Sequence, residues 1–170
     1  MKRAEQVLWS LFAIAIVMRI AFGAAFFWSC TLALTLACFY FYFSIWLFNN
    51  IPLSRVFKKE SYLGISGLRV VGCVLISFVY SNAVMAALYK LASWPGSFIM
   101  NILAILGLLI SGTVIIIRLS KGTEREFYRG LLIRNVLMML LCSSFMATFF
   151  LPVKCQQQLF NTMPRSNVSR

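Results

Sequence analysis

A run of 42 apolar residues, 7–48, most constrains how this chain can fold, because Arg19 is its only charged residue. As a single helix the run would extend about 63 Å, roughly twice the thickness of the hydrocarbon core of a bilayer. We therefore divide it near Gly23, where a patch of small residues begins. The division predicts two membrane-spanning helices, over residues 4–22 and 24–48.

Three further apolar runs predict three more spans, over residues 68–91, 97–119 and 130–151. Pro95 and Gly96 mark a tight turn between the third and fourth spans, and Pro152 ends the fifth before a polar tail at 152–170. Because 61% of the residues are hydrophobic and only 12% are charged, the lipid bilayer is the expected solvent. The predicted fold is all-α, a polytopic five-helix transmembrane bundle forming one domain at 1–151.

The basic residues predict the orientation of these spans. The chain has sixteen lysines and arginines against four glutamates, a net charge of +12. Five spans put eleven of the basic residues on the face of the N-terminus and five on the other face. The positive-inside rule then predicts five spans with the N-terminus in the cytoplasm and the C-terminus on the outer side of the membrane. The predicted cytoplasmic loops carry Arg55, Lys58, Lys59, Lys121, Arg125 and Arg129, which we expect to contact phospholipid headgroups and not nucleic acid.

The N-terminal segment also resembles a secretory signal peptide. Lys2 and Arg3 precede an apolar stretch, and residues 21–23 or 23–25 fit a cleavage site. Arg19, just ahead of those sites, argues against cleavage. Both alternatives leave the orientation of the remaining helices unchanged.

Polar side chains within the apolar helices are the candidate functional residues, because polar groups are costly in lipid. Tyr80 and Asn82 lie in the predicted third helix and Asn101 in the fourth. They suit either hydrogen bonds between helices or the lining of a substrate path.

Basic and aromatic residues at the ends of the spans predict contacts with the membrane surface. Lys90 suits either an anchor that extends its amine into the headgroups or a buried cation of an ion pathway. Trp94 and Arg19 are expected to be interface anchors at the same outer surface. All four glutamates are expected at the cytoplasmic edge, which leaves no intramembrane acid for a proton pathway.

Residues for common enzyme chemistry are missing from the sequence. Without histidine or aspartate, the chain has no histidine-dependent triad, no HExxH motif and no aspartate pair for a metal. Its five cysteines form no CxxC pair, and four of them lie in apolar runs where they suit packing. We therefore expect a protein that is not an enzyme and that has no metal or cofactor.

The run Leu88-Tyr89-Lys90-Leu91-Ala92-Ser93-Trp94-Pro95-Gly96, followed by an apolar helix, resembles the transmembrane hairpin of the GldL family. These are inner-membrane motor subunits of gliding motility and type IX secretion in Bacteroidota. The resemblance covers residues 88–118 and implies that the hairpin tip faces the periplasm. Of the family's functional residues only Lys90 carries over, since Ser93 replaces a histidine and apolar residues around Leu108 replace a glutamate. The resemblance thus implies a multi-pass inner-membrane protein of the Bacteroidota type that shares this hairpin, with its C-terminus in the periplasm, and it does not imply motor activity.

These observations support three hypotheses. The leading one is a non-enzymatic accessory or assembly subunit of an envelope complex, related to gliding or type IX membrane hairpins. Its partner would be another membrane protein or a second copy of the chain. The alternative is a small transporter or channel with polar residues of helices 3 and 4 lining the path. A third is recognition of lipid headgroups by the basic cytoplasmic loops.

Overall fold

The computed structural model of the protein describes residues 2–22, 26–49, 51–62, 65–122 and 124–150, with the side chains of residues 2, 20–22, 53 and 59 excepted. All regular structure in these ranges is helical. Gly23 and the predicted tail at 152–170 lie outside the described residues. The five α-helices are α1 (Lys2–Phe22), α2 (Phe26–Phe48), α3 (Gly67–Leu91), α4 (Ser97–Ser120) and α5 (Arg125–Ala147). Two 3-10 turns, Leu53–Arg55 and Lys59–Tyr62, lie between α2 and α3, and a third, Thr148–Phe150, follows α5.

Four helical segments are long and apolar enough to cross a membrane: Phe26–Phe48, Gly67–Leu91, Ser97–Ser120 and Arg125–Phe150. Their mean hydropathy ranges from 1.7 to 2.5. The prediction of an all-helical membrane protein is confirmed to this extent. Helix α1 has 21 residues and packs against α2, and its membrane crossing stays a prediction.

Helix α3 lies at the centre of the bundle, in contact with α2, α4 and α5. Its neighbours approach closely because Ala83, Ala86 and Ala87 are all buried and add little bulk. Gly107 of α4 has the same effect, since a Cβ atom there would lie 3.4 Å from Val79 Cγ1. These small residues therefore lie at the contacts between helices.

The turn between α3 and α4 confirms the tight hairpin predicted from Pro95 and Gly96. The amides of Ser93 and Trp94 donate to the carbonyls of Lys90 and Tyr89, at 3.1 and 3.0 Å, the pattern of a Schellman motif. Ser93 has φ 55°, in the left-handed region where glycine is usual. Gly96, at φ 82°, then begins α4.

Helix α5 begins at Arg125, five residues before its predicted start at 130. The charges of residues 125–129 predicted a loop, but charged side chains are also accommodated in helical turns at a membrane surface. A helix start at residue 130 would put Arg134 close to the beginning of the last helix. Arg134 is the tenth residue of α5, about 13 Å along the helix axis from its start.

We expect Ser93→Gly to stabilise the protein by about 1 kcal/mol, because glycine adopts the left-handed conformation without steric cost. Thermal unfolding of the purified protein in detergent measures the change. Ala92→Gly is the matched control, since Ala92 has φ −80° and gains nothing from glycine. A loss of stability in Ser93→Gly would contradict the expectation.

Candidate functional site

An ion pair buried between the first and last helices is the most elaborate polar arrangement in the described residues. Arg134 of α5 donates from Nε to Glu5 Oε1 and from Nη2 to Glu5 Oε2, both at 2.7 Å. Glu5, in the first turn of α1, is only 6% exposed. Two parallel hydrogen bonds between ionised groups fix orientation as well as distance, so the pair sets how α1 and α5 meet.

Helix α2 joins this pair through a buried tyrosine. The hydroxyl of Tyr40 donates to Glu5 Oε1 at 2.7 Å and accepts from Trp9 Nε1 at 2.8 Å. Glu5, Arg134, Tyr40 and Trp9 together form what we call the Glu5 network. Three helices thus share one set of charged and polar hydrogen bonds, and both carboxylate oxygens have donors.

The Glu5 network is a contact that the sequence analysis did not predict. Glu5 is buried against Arg134 within the bundle, and its place at the cytoplasmic edge of the membrane stays a prediction. Sequence reasoning missed the pair because Glu5 and Arg134 lie 129 residues apart and each stands near other charged residues. One signal was present: Arg134 and its neighbour Asn135 stand between the apolar residues 131–133 and 136–141, which indicates a charge that needs a partner inside the bundle.

Two of the polar residues predicted in helices 3 and 4 turn toward α5. The Tyr80 hydroxyl donates to the Leu131 carbonyl at 2.9 Å, and Asn101 Nδ2 donates to the Cys142 carbonyl at 3.2 Å. Tyr80 also places its ring against Tyr40, with centroids 5.6 Å apart. The two predicted residues therefore contact different levels of the same helix, and Tyr80 packs beside the Glu5 network.

A second hydrogen-bonded contact between α4 and α5 was not predicted. The Ser111 hydroxyl donates to Asn135 Oδ1 at 2.8 Å, and Asn135 Nδ2 donates to the Leu108 carbonyl at 3.1 Å. Gly112 makes room for this amide, because a Cβ atom at position 112 would lie 2.8 Å from Asn135 Nδ2. Asn135 therefore joins two helices through both ends of its side chain.

Asn82 differs from the other candidate polar residues because it is half-buried and makes no hydrogen bond within the described part of the chain. It lies four and seven residues after Phe78 and Leu75, which are 54% and 62% exposed. Residues at these spacings share one face of a helix. Asn82 thus lies at the outward-facing side of α3.

Two basic side chains are buried at the hairpin end of the bundle. Arg19 is 3% exposed; its guanidinium donates to the Leu91 carbonyl and lies 4.5 Å from the centre of the Phe26 ring. Lys90 is 7% exposed, with Nζ 3.4 Å from the centre of the Phe149 ring. Trp94 is half-exposed beside Tyr89. The structure therefore gathers Arg19 and Lys90 at one end of the molecule, as the predicted hairpin requires.

The predicted basic loops lie at the opposite end, beyond the ends of α2 and α4. Their described side chains are exposed, and that of Lys59 lies outside the described set. No group of three or more metal-ligating side chains occurs among the residues that the structure describes. The exposed basic side chains are Arg55, Lys58, Lys121, Arg125 and Arg129.

We expect Glu5→Gln and Arg134→Gln each to destabilise the protein by about 3–5 kcal/mol, because each leaves a buried charge without its partner. The variant carrying both substitutions should lose less than the sum of the two. Unfolding in a graded series of denaturing detergent measures these changes. Glu126→Gln, which removes an exposed charge, is the matched control, and equal losses in it and Glu5→Gln would contradict the assignment.

We expect Gly112→Ala to destabilise the protein by about 1–3 kcal/mol, since the added methyl group displaces the Asn135 amide from its two partners. Gly72→Ala is the control, because a Cβ atom there meets no heavy atom within 4 Å. It should be neutral or stabilising by up to about 1 kcal/mol, as alanine favours the helix. The same unfolding assay compares the two, and equal effects would show that Gly112 is not a close contact.

Comparison with known proteins assigns no family to the chain. No family model, curated protein or solved structure matches it. The resemblance of residues 88–118 to the GldL hairpin stays a prediction. Function is therefore argued from the contacts of the chain itself.

Proposed function

We propose that this chain is a non-enzymatic subunit of an inner-membrane envelope complex, which crosses the bilayer five times and acts through contacts between helices. The four apolar segments support the membrane setting. Helix α1 has 21 residues, about 31 Å of helix, which is enough to cross the hydrocarbon core. Its contact with α2 and its ion pair to α5 support its inclusion in the bundle.

The separation of the basic residues supports the proposed orientation. The exposed basic side chains of the loops after α2 and α4 lie at one end, and the buried Arg19 and Lys90 lie at the other. By the positive-inside rule the end with the exposed charges is cytoplasmic. The α3–α4 hairpin then points into the periplasm, as its resemblance to the GldL hairpin implies.

Most polar side chains in the bundle support a structural role over a catalytic one. Tyr80, Asn135 and the Glu5 network bind other helices of the same chain. Thr113 and Ser144 are exposed, but each hydroxyl bonds a carbonyl of its own helix. These side chains are therefore satisfied within the chain and suit a bundle built for rigidity.

Asn82 is the observation that carries the proposal of a partner. Its amide lies on the same face of α3 as the exposed Phe78 and Leu75 and has no hydrogen bond in the described residues. An unsatisfied amide in lipid costs on the order of one to several kcal/mol, and a bond to another transmembrane helix removes that cost. A membrane-protein partner or a second copy of the chain would supply that bond.

We expect the protein, purified in a gentle detergent and crosslinked, to form a defined complex. Asn82→Leu should weaken that complex by about fivefold or more, which corresponds to the one or two kcal/mol of an interhelical hydrogen bond. Thr113→Val is the control, because it removes an exposed hydroxyl already satisfied by its own helix. A strictly monomeric protein, or equal effects of the two variants, would refute the proposal.

A second candidate function is transport of a small polar solute through the bundle. The observation that favours it is Asn101 Oδ1, which is buried and has no hydrogen-bond partner. A buried acceptor of this kind suits a bound water or a passing donor. Flux into liposomes should fall in Asn101→Leu, Asn82→Leu and Lys90→Leu if these residues line a path, and unchanged flux in all three would remove this candidate.

A further inference from the structure

A cleft opens between α3, α4 and α5 at the end of the bundle that carries the exposed basic residues. It measures about 270 Å³, just below the range of roughly 300–1,000 Å³ found for drug-sized ligands. A small group therefore fits it better than a large one. Its wall comprises the start of α3, the last turns of α4 and the start of α5, with Ser66, Arg69, Gly72, Arg118, Glu124 and Tyr128 as its main polar and small residues.

The cleft carries more positive than negative charge. Arg69 and Arg118 face one carboxylate, Glu124. Arg118 is exposed and forms no ion pair among the residues that the structure describes. The N-terminus of the 25-residue helix α3 lies here too, and its first N–H groups add a partial positive charge. An anion is therefore the favoured occupant.

Arg69 is held in place yet keeps an unused donor. Its Nη1 donates to Glu124 Oε1 at 3.0 Å, and its guanidinium lies 4.0 Å from the centre of the Phe127 ring. Its Nε is buried and has no hydrogen-bond partner. Because two contacts fix the guanidinium, the positive charge of Arg69 is held in place at the wall of the cleft.

The cleft combines this charge with an apolar margin. Leu68 and Val114 line it and are 77% and 51% exposed. When the first turns of α3 and α5 lie at the membrane surface, the apolar residues at this margin face the hydrocarbon of the bilayer. A phospholipid has a charged phosphate group beside its acyl tails, and it therefore matches both the positively charged cleft and its apolar margin.

We propose that this cleft binds a phosphate group, with Arg69 and Arg118 as its cationic ligands and the Ser66 and Tyr128 hydroxyls as further polar contacts. The inference goes beyond the proposed assembly role and does not depend on it. The phosphate belongs either to a lipid headgroup or to a soluble phosphate monoester, and the same chemistry serves both. Arg55 and Lys58 of the loop after α2 and Arg125 at the start of α5 lie outside the cleft and supply general attraction to an anionic surface.

The test measures binding of three probes to the delipidated full chain by native mass spectrometry. Phosphatidylglycerol carries phosphate and tails, diacylglycerol with the same tails lacks phosphate, and glycerol 3-phosphate lacks tails. Selective retention of phosphatidylglycerol supports the lipid source, and binding of glycerol 3-phosphate supports the soluble source. Equal retention of phosphatidylglycerol and diacylglycerol, or no binding of either phosphate probe, overturns the proposal.

Matched variants separate the cleft from the general positive charge of this end. Arg118→Gln should weaken phosphate binding by about fivefold to tenfold. Lys121→Gln removes an equal charge three residues further along, at the end of α4 and outside the cleft, and should change binding by less than about twofold. Equal effects of the two overturn the proposal.

A variant that keeps every charge gives an independent result. Gly72 lines the cleft, and a Cβ atom there meets no heavy atom within 4 Å. Gly72→Leu therefore fills the cleft with little strain on the helix and should reduce phosphate binding by about tenfold or more. Unchanged binding in Gly72→Leu, with the circular dichroism of the unaltered protein retained, places the phosphate elsewhere and overturns the proposal.

Discussion

The ion pair between Glu5 and Arg134 joins the first helix of the bundle to the last across 129 residues of chain. A carboxylate and a guanidinium within a bilayer are tolerable only when they neutralise each other and their hydrogen bonds are complete. Tyr40 supplies a further donor to Glu5, which commits α2 to the same arrangement. The lateral order of α1, α2 and α5 thus depends on one charge-neutral contact.

The polar groups have different kinds of partner at different positions along the bundle. At the basic end, side chains such as Arg118 are exposed and suited to anions from outside the chain. In the middle, Tyr80 and Asn135 bond other helices, while Asn82 alone among the candidate polar residues lies on an outward face. At the hairpin end Arg19 is buried against a backbone carbonyl and an aromatic ring. This arrangement supports a rigid helical bundle that contacts other molecules at separate positions along its axis.

The helices and the hairpin could be predicted from the sequence because their signals are local. The lengths of the apolar runs predicted the helices, and Pro95 with Gly96 predicted the turn at 92–96. The Glu5 network could not be predicted, since pairing between distant residues depends on which helices become neighbours. The start of α5 was wrong for a related reason, because charges at 125–129 suit both a loop and an interfacial helix. The cleft proposed to bind phosphate likewise depends on the ends of three helices lying side by side. No single segment of the sequence specifies that arrangement.

The long separation of Glu5 from Arg134 also orders the events of synthesis. Residues enter the membrane from the N-terminus onward, so α1 is present before α5 has been made. Until then the Glu5 carboxylate has Tyr40 beside it but no positively charged partner, which favours a position close to water. The ion pair that joins α1 to α5 therefore forms only at the last stage of assembly, after Arg134 has been made.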